Sequence, residues 1–247
     1  MYVCKPILKE MKELFWSKYY SIKYRFIHSY HHRVKKNVCL LENELLKNNQ
    51  TKWLDLGSSI NHANKNFYFA DLYPIEECLD EMKSKYFQLN ISVPMSIEDK
   101  DRLGTFDFIR MQHVFEHFTF EEADIVLENC FNLLNKNGKV LISVPDLDIY
   151  VRRYLNKTLK YIPSFGPWAL NRIEMSSSES DYFSIYAHSM LHEKHLWCYN
   201  KDGLINKIER TSKFKNVKKI GLLNKFAGIP FTHNRPEEDL CIIAAKK

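Results

Sequence analysis

The feature that most constrains the fold is a helix flanked by two strand-length apolar runs. The runs are Phe106–Met111 (FDFIRM) and Lys139–Val144 (KVLISV), and between them stands TFEEADIVLENCFNLLNKNG. Thr119 and Glu122 have the spacing of a capping box, and Asn137-Gly138 provides a stop signal. Two strands joined through a helix of this length pair in parallel by a right-handed crossover. The segment therefore predicts a parallel sheet.

Similar short runs recur on both sides of this unit. Several are apolar almost throughout, as expected of strands that are buried on both faces. The predicted strands are Lys52–Leu56, Phe67–Asp71, Tyr86–Asn90, residues 216–222 and Leu240–Ala245, with a further helix at about 201–212. Strands that alternate with helices predict an α/β fold.

Composition narrows the class of protein. Apolar residues make up 45% of the 247, which is enough for a substantial core, and no run of about 18 uncharged apolar residues could span a membrane. The N-terminus lacks the apolar region of a secretory signal. Six scattered cysteines form no C-x-x-C pair, a usage typical of a reducing compartment. We therefore expect a cytoplasmic protein with free thiols.

The basic charge is concentrated at the N-terminus. Residues 1–36 contain nine Lys or Arg and two Glu, whereas the rest of the chain is nearly neutral. Residues 1–50 have helical periodicity, so we predict a basic helical arm or cap over 1–50 and a second domain over 51–247. An RNA partner is disfavoured because no RNA-binding module is recognisable. Peripheral contact of 1–36 with an anionic membrane stays open.

Polar residues follow the predicted strands, at the sheet edge where ligands of parallel sheets bind. Asp71 ends the second strand, where a carboxylate could accept hydrogen bonds from both hydroxyls of a ribose. Gly57 would let a ligand approach the backbone closely. The fingerprint G-x-G-x-x-G is absent, and Ser58–Asn66 is too short for a full crossover helix. NAD and ATP are therefore disfavoured.

Three stretches carry a resemblance to a known family. WLDLGSS, FYFADLYP and the long segment from FDFIRMQHVFEH to NKNGKVLISVPDL resemble the class I S-adenosylmethionine-dependent methyltransferases, with a signature similar to HVLEH and VPDL. LCIIAAKK resembles the last, antiparallel strand of that fold. The resemblance implies a Rossmann-like, seven-stranded, mostly parallel sheet with helices on both faces.

The resemblance also implies a cofactor site for S-adenosylmethionine. Asp55, Gly57 and Ser58 would hold the methionine end, and Asp71 the ribose. Further expected cofactor contacts lie beside these positions: Ser59 in the first turn, Leu72 after the second strand, Asn90 and Ile91 flanking the adenine, and Gln112 and His113 near the sulfonium.

Methyl transfer needs alignment and, for a hydroxyl acceptor, a base. The candidate catalytic residues are His113, His117 and Asp146, which follow predicted strands. Each also has a structural interpretation: His113 as a core histidine, His117 as a helix cap, and Asp146 as part of a turn.

Residues 148–198 interrupt the strand and helix alternation, and we predict that this insert forms the acceptor pocket. Arg152 and Arg153 suit an anionic acceptor, and His192 and His195 are expected to line the pocket. His188, His192 and His195 share one helical face, with Cys198 three residues on. No second ligand cluster accompanies them, so the sequence predicts no metal.

The sequence thus predicts a methyltransferase that acts on a small polar acceptor, with transfer to oxygen favoured. A sugar, a nucleotide-linked sugar or a phosphate-bearing metabolite of surface-polysaccharide-type carbohydrate biosynthesis would be such an acceptor. Two alternatives stay open: an RNA methyltransferase that uses the basic arm, and a non-catalytic subunit that keeps the cofactor fold.

Overall fold

The computed structural model describes residues 10–12, 14–23, 25–26, 29, 51–58, 67–158, 195–221, 225–226, 229–230 and 238–247. A seven-stranded sheet forms the centre of this part of the chain. Its strands are β1 (Trp53–Leu56), β2 (Tyr68–Asp71), β3 (Tyr86–Gln88), β4 (Phe106–Gln112), β5 (Leu134–Pro145), β6 (Phe214–Ile220) and β9 (Asp239–Lys246). A separate pair consists of β7 (Lys225–Phe226) and β8 (Ile229–Pro230).

The strand order is β3-β2-β1-β4-β5-β9-β6. Strands β1 to β5 pair in parallel, and β9 is antiparallel to both of its neighbours. The predicted fold class and the antiparallel last strand are therefore confirmed. The strand order reverses between β1 and β4, and the carboxyl ends at such a switch point are where ligands of open α/β sheets bind.

Four helices with complete bounds flank the sheet in the described ranges: α1 (Ile97–Leu103), α2 (Phe120–Leu133), α3 (Leu147–Leu155) and α4 (Lys201–Arg210). Helix α2 begins with the predicted capping box, in which Thr119 and Glu122 exchange side-chain and backbone hydrogen bonds. Its apolar face packs in the main core through Ala123, Val126, Leu127 and Cys130. The capping box and most of the predicted apolar face are thus confirmed.

The predicted end of α2 is wrong. The helix ends at Leu133 and β5 begins at Leu134, so Asn137 and Gly138 lie within a strand instead of stopping a helix. The extended backbone places Leu134 opposite Phe106 of β4, where both side chains are buried. The stop signal at 137–138 instead coincides with a local irregularity, since Asn137 has a φ of 65°.

Helix α3 lies where the sequence pattern was irregular and was not predicted. Asp146 caps it by accepting a hydrogen bond from the Asp148 N–H at 3.1 Å. The helix buries Tyr150 and Arg153 on one side. The guanidinium of Arg153 lies over the ring of Tyr20, 4.1 Å from its centroid, and so joins α3 to the N-terminal segment.

The N-terminal segment is helical at 10–12, 14–23 and 25–26, as predicted there. Residues 30–50 of the predicted helical arm lie outside the described residues. None of the helices in the described ranges combines the length and apolar character needed to cross a bilayer. Cys78, Cys130, Cys198 and Cys241 are free thiols, in line with the expectation from cysteine usage.

Candidate functional site

The turn after β1 requires a glycine for two reasons. Gly57 has a φ of +67°, a conformation that L-residues rarely adopt, and its N–H donates to the Ala70 carbonyl oxygen at 2.8 Å. A Cβ atom at this position would lie 2.4 Å from Cγ2 of Val114, which follows β4. The turns after β1 and β4 therefore pack against each other without room for a side chain. Ser58 is part of this turn, whereas Ser59 lies outside the described residues.

Asp55 is buried and paired within the sheet. Its carboxylate accepts two hydrogen bonds from Arg110, at 2.5 Å from Nη2 and 3.2 Å from Nε. The two residues are register partners on β1 and β4, and the guanidinium also lies over the ring of Phe67. The pair neutralises the charge of Asp55 inside the protein. Contact between Asp55 and the methionine end of the cofactor stays a prediction.

Hydrogen bonds to its backbone carbonyl hold Asp71 at the edge of the sheet. Its carbonyl oxygen accepts from the Leu89 N–H at 2.9 Å and from the Tyr86 hydroxyl at 3.2 Å. Burial and then the charge of Asp71 raise the pKa of Tyr86 to about 12, so the phenol stays a donor at neutral pH. The half-buried Asp71 carboxylate stands at the strand end and accepts from the N–H of the exposed Leu72.

The end of β3 lies beside Asp71, since Asp71 and Gln88 are register partners. Asn90 is exposed, and its side-chain oxygen accepts from the Ser92 N–H and hydroxyl at 3.0 and 2.8 Å. Ile91 is buried against the sheet, and its carbonyl accepts from Asn129 of α2. The structure thus brings the predicted ribose and adenine contacts to one edge.

The chain turns sharply after β4. His113 has a φ of +55°, and its N–H donates to the Ser143 carbonyl of β5 at 2.9 Å. Just before it, the Oε1 atom of Gln112 is buried and accepts no hydrogen bond from the described residues. A buried carbonyl oxygen without a donor is costly, so this atom favours a ligand at the end of β4.

His113 lies between two carboxylates. Its Nε2 atom is 2.8 Å from Oδ1 of Asp239 and its Nδ1 atom is 3.3 Å from Oε1 of Glu116. Burial alone lowers the pKa of His113, but the two carboxylates outweigh it and raise the pKa to about 10. Because both ring nitrogens face carboxylates, the geometry favours a cation that positions its neighbours over a general base. The catalytic assignment of His113 stays a prediction.

Asp146 also has structural partners. It caps α3 and lies 3.1 Å from the ammonium of Lys219, and it is buried. These contacts account for the carboxylate without a reacting group. Its role as a base was predicted from the strand-end position alone and is not tested by the geometry.

A second polar group gathers next to His113. Glu116 is 1% exposed, and neither of its carboxylate oxygens accepts a hydrogen bond from the described residues. The rings of His117 and His195 meet edge to face with centroids 4.7 Å apart. One ligand atom from each of these three residues lies within 4.8 Å of the other two. We call Glu116, His117 and His195 the Glu-His-His cluster.

Backbone hydrogen bonds hold His195 in place beside the cluster. The N–H groups of Leu196 and Trp197 both donate to the carbonyl oxygen of Glu116, at 2.8 and 3.2 Å. Trp197 also packs on Phe120 at the start of α2, with 5.0 Å between ring centroids. The sequence predicted His117 and His195 separately, for different roles, and gave no role to Glu116.

The predicted cationic acceptor contacts do not join this cluster. Arg152 is exposed, and its Nε donates to the Asp148 carbonyl one turn back along α3. Arg153 is buried beneath Tyr20. Both lie in the last turn of α3, away from its N-terminus at the strand end. His192, the other predicted acceptor contact, lies outside the described residues.

Comparison with known protein families places most of the chain in one family. Residues 26–211 match the family described as "Methyltransferase domain". The chain therefore belongs to this methyltransferase family, whose methyl donor is S-adenosylmethionine. No curated protein has a sequence that matches the chain significantly.

Similar solved structures are distant in sequence. A SAM-dependent methyltransferase from Thermotoga maritima is 15% identical, with a TM-score of 0.46 and coverage of 90% of this chain and 97% of the other. The N-methyltransferase NodS from Bradyrhizobium japonicum is 12% identical, with a TM-score of 0.42 and 86% coverage of both chains. The CurJ carbon methyltransferase is 14% identical, with a TM-score of 0.42. Its match covers 79% of this chain but spans only 48% of the CurJ chain.

The residues at the sheet edge fit S-adenosylmethionine. The half-buried carboxylate of Asp71, at a strand end, would accept hydrogen bonds from the ribose hydroxyls, and the Gln112 oxygen, which accepts none from the described residues, lies at the switch point. The cofactor supplies an electrophilic methyl group on a sulfonium. The protein's part is to hold Asp71 by the Tyr86 hydroxyl and to keep the Gly57 and Val114 turns closely packed.

Proposed function

We propose that this methyltransferase transfers its methyl group to an oxygen atom of a small, hydroxyl-rich acceptor, such as a sugar or a nucleotide-linked sugar. The observation that carries the proposal is the Glu-His-His cluster beside the end of β4. A buried carboxylate that accepts no hydrogen bond from the described residues and two half-buried imidazoles match a polar acceptor far better than an apolar one.

The direction of hydrogen bonding favours hydroxyl groups in particular. The buried oxygens of Glu116 and Gln112 can only accept, whereas a sugar hydroxyl can donate. A phosphate group, which mainly accepts, would leave these oxygens without donors. Within the class of acceptors expected from the sequence, the sugar is therefore favoured over the phosphate.

The N-terminal segment supports a cap in preference to a docking arm for RNA. The stacking of Arg153 on Tyr20 ties the segment to α3, which directly follows the strand end of β5. In this contact an arginine and a tyrosine bind each other within the protein. Both residue types would be useful contacts to RNA.

Cofactor binding is tested first, by calorimetric titration of S-adenosylhomocysteine into the full chain. We expect Asp71→Ala to weaken binding by at least about 100-fold, since two hydrogen bonds to a charged group are lost at about 1.5–3 kcal/mol each. Asp80→Ala is the matched control, because Asp80 is exposed and its ion pair within the described residues is with Lys83. Unchanged binding by Asp71→Ala would overturn the ribose assignment.

The acceptor is tested by transfer of labelled methyl groups to a small-molecule extract and, in parallel, to total RNA. The proposal expects label in a hydroxyl-rich small molecule, with the added methyl group located on oxygen by mass fragmentation. Label that enters RNA alone, or a product methylated on nitrogen or carbon, would contradict it.

A further inference from the structure

We propose that the Glu-His-His cluster is a binding site for a divalent transition-metal ion of the zinc class. The three side chains offer two imidazole nitrogens and one carboxylate oxygen, all within 4.8 Å of one another. Two histidines and one carboxylate are a donor set of catalytic zinc sites, which keep a further position open for water or substrate.

The buried carboxylate of Glu116 gives the main support for a metal ion at this cluster. The residue is 1% exposed, and both carboxylate oxygens are buried without accepting a hydrogen bond from the described residues. A buried carboxylate requires a partner, because removing its charge from water is expensive. His113 faces Oε1 at 3.3 Å as an ion-pair partner but donates no hydrogen bond to it, so both carboxylate oxygens keep lone pairs that a metal ion can use.

The distances allow a metal ion after small side-chain rotations. Ligand atoms bound to zinc at about 2.0–2.1 Å in a tetrahedron lie about 3.3 Å apart. The cluster has to contract by roughly 1.5 Å at most from its present spacing of up to 4.8 Å. His117 and His195 are half-buried, with their rings edge to face, so modest rotations can turn both nitrogens towards Glu116.

Contacts other than those between the three side chains also hold the cluster together. Glu116 and His117 belong to a single 3-10 turn, Phe115–His117, that directly follows β4. Two backbone hydrogen bonds from Leu196 and Trp197 fix the segment that carries His195 to the Glu116 carbonyl. His113 in turn faces the Glu116 carboxylate, as groups around metal-binding carboxylates do.

A metal ion at this cluster differs from the sequence-based prediction, which was that the chain binds no metal. That expectation considered His188, His192, His195 and Cys198 as one helical face. Of these, His195 lies beside His117 and Glu116, whereas Cys198 is exposed and His188 and His192 lie outside the described residues. The cluster therefore depends on a contact between distant segments.

The role of the ion rests on the proposed function. An open metal position would bind an acceptor hydroxyl and lower its pKa, so that its proton passes to solvent water. The oxygen then forms a bond to the methyl carbon as the sulfur–carbon bond breaks, which leaves S-adenosylhomocysteine. With the ion in this role, neither His113 nor Asp146 needs to act as a base.

The site can be tested with Co²⁺ as a spectroscopic probe and Zn²⁺ as its competitor. The full chain is treated with a chelator, dialysed and titrated with Co²⁺ while its visible absorption is recorded. We expect one equivalent to bind with a spectrum typical of nitrogen and oxygen ligands, and Zn²⁺ to displace it. Glu116→Gln and His195→Asn should each weaken binding at least tenfold, whereas the exposed Glu121→Gln should not.

Other outcomes overturn the inference. These are absence of saturable binding, a thiolate charge-transfer band, or equal affinity in the wild type, Glu116→Gln and His195→Asn. Retained binding of S-adenosylhomocysteine shows that a variant is folded, and the half-buried His195 keeps the test valid if Glu116→Gln fails to fold. Metal binding without transfer to any hydroxyl acceptor would reject the proposed function alone. Transfer that persists in fully metal-free protein would reject the catalytic role of the ion.

Discussion

Two buried carboxylates at the same edge of the sheet have opposite surroundings. Asp55 on β1 is paired with Arg110 through two hydrogen bonds, directly across the strand register. Glu116, just after β4, accepts no hydrogen bond from the described residues. The charge of the first carboxylate is neutralised by an arginine on the neighbouring strand, and this pair joins the two strands. The second keeps hydrogen-bonding and coordinating capacity at a position that a ligand can use.

The difference extends to how each side of the site is built. The cofactor side is fixed by backbone contacts of neighbouring strands, including those of Gly57 and Asp71. The proposed acceptor side is assembled from side chains of remote segments, since His195 lies beside His117 and Asp239 beside His113. Substitutions of Asp55 and Gly57 should therefore affect stability most, and those of Glu116 and His195 ligand binding.

The largest effect is expected when the paired carboxylate loses its charge. Asp55→Asn leaves the mostly buried guanidinium of Arg110 without its counter-charge, which should lower the free energy of unfolding by about 3–5 kcal/mol. Urea unfolding monitored by circular dichroism measures this change. In the double variant Asp55→Asn with Arg110→Met the loss should be smaller, because no buried charge is left unpaired. A larger loss in the double variant would show that the pair does not act as a unit.

Gly57→Ala should have the next largest effect. The new methyl group would meet Val114 at 2.4 Å in a backbone conformation unfavourable for alanine. We expect a loss of about 2–4 kcal/mol, the sum of overpacking and left-handed strain. Adding Val114→Ala should recover part of this loss, because it removes the steric component and leaves the strain. Equal stability of Gly57→Ala and the wild type would contradict the close packing of the two turns.

The sequence predicted the sheet because the parallel strands are buried on both faces and read as continuous apolar runs. It also predicted the capping box of α2, since both partners are three residues apart. It failed at the end of α2, where local stop residues at 137–138 were outweighed by burial of Leu134 against β4. Helix α3 was missed because its buried side includes Arg153, which a hydrophobic pattern does not count.

The candidate site shows the same limit. Gly57, Asp71 and Gln112 could be found because position at a strand end is a local property of the sequence. The pairing of Asp55 with Arg110 depends on strand register, and that of His113 with Asp239 depends on β9 lying beside β5. Glu116 stood within the quoted HVFEH motif, and its burial was the signal that sequence alone could not supply.

A smaller effect is expected from Tyr86→Phe, which removes the hydroxyl that donates to the Asp71 carbonyl at 3.2 Å and to the Tyr73 carbonyl at 2.5 Å. The loss should be about 1–2 kcal/mol at neutral pH, with weaker binding of S-adenosylhomocysteine. Folding raises the pKa of Tyr86 from its ordinary value of 10.0 to about 12. Its contribution is therefore complete below pH 10.0 and is lost as the pH rises towards about 12.

Unfolding of the wild type and Tyr86→Phe across this alkaline range tests the sign of the effect. The difference in stability between the two proteins should shrink from pH 10.0 upwards. Tyr68→Phe is a suitable control, because Tyr68 is a half-buried tyrosine on the neighbouring strand β2. A difference that grows with pH would contradict the raised pKa.

The smallest effect on stability is expected at the second carboxylate. In metal-free protein, Glu116→Gln removes an ion pair with His113 but also removes the cost of burying a carboxylate that accepts no hydrogen bond from the described residues. These terms oppose each other, so the free energy of unfolding should change by less than about 1 kcal/mol, in contrast to Asp55→Asn. His113 keeps its contact with Asp239 at 2.8 Å, so its charge is not left without a partner. A loss as large as that of Asp55→Asn would mean that Glu116 is structural, and the contrast between the two carboxylates would fail.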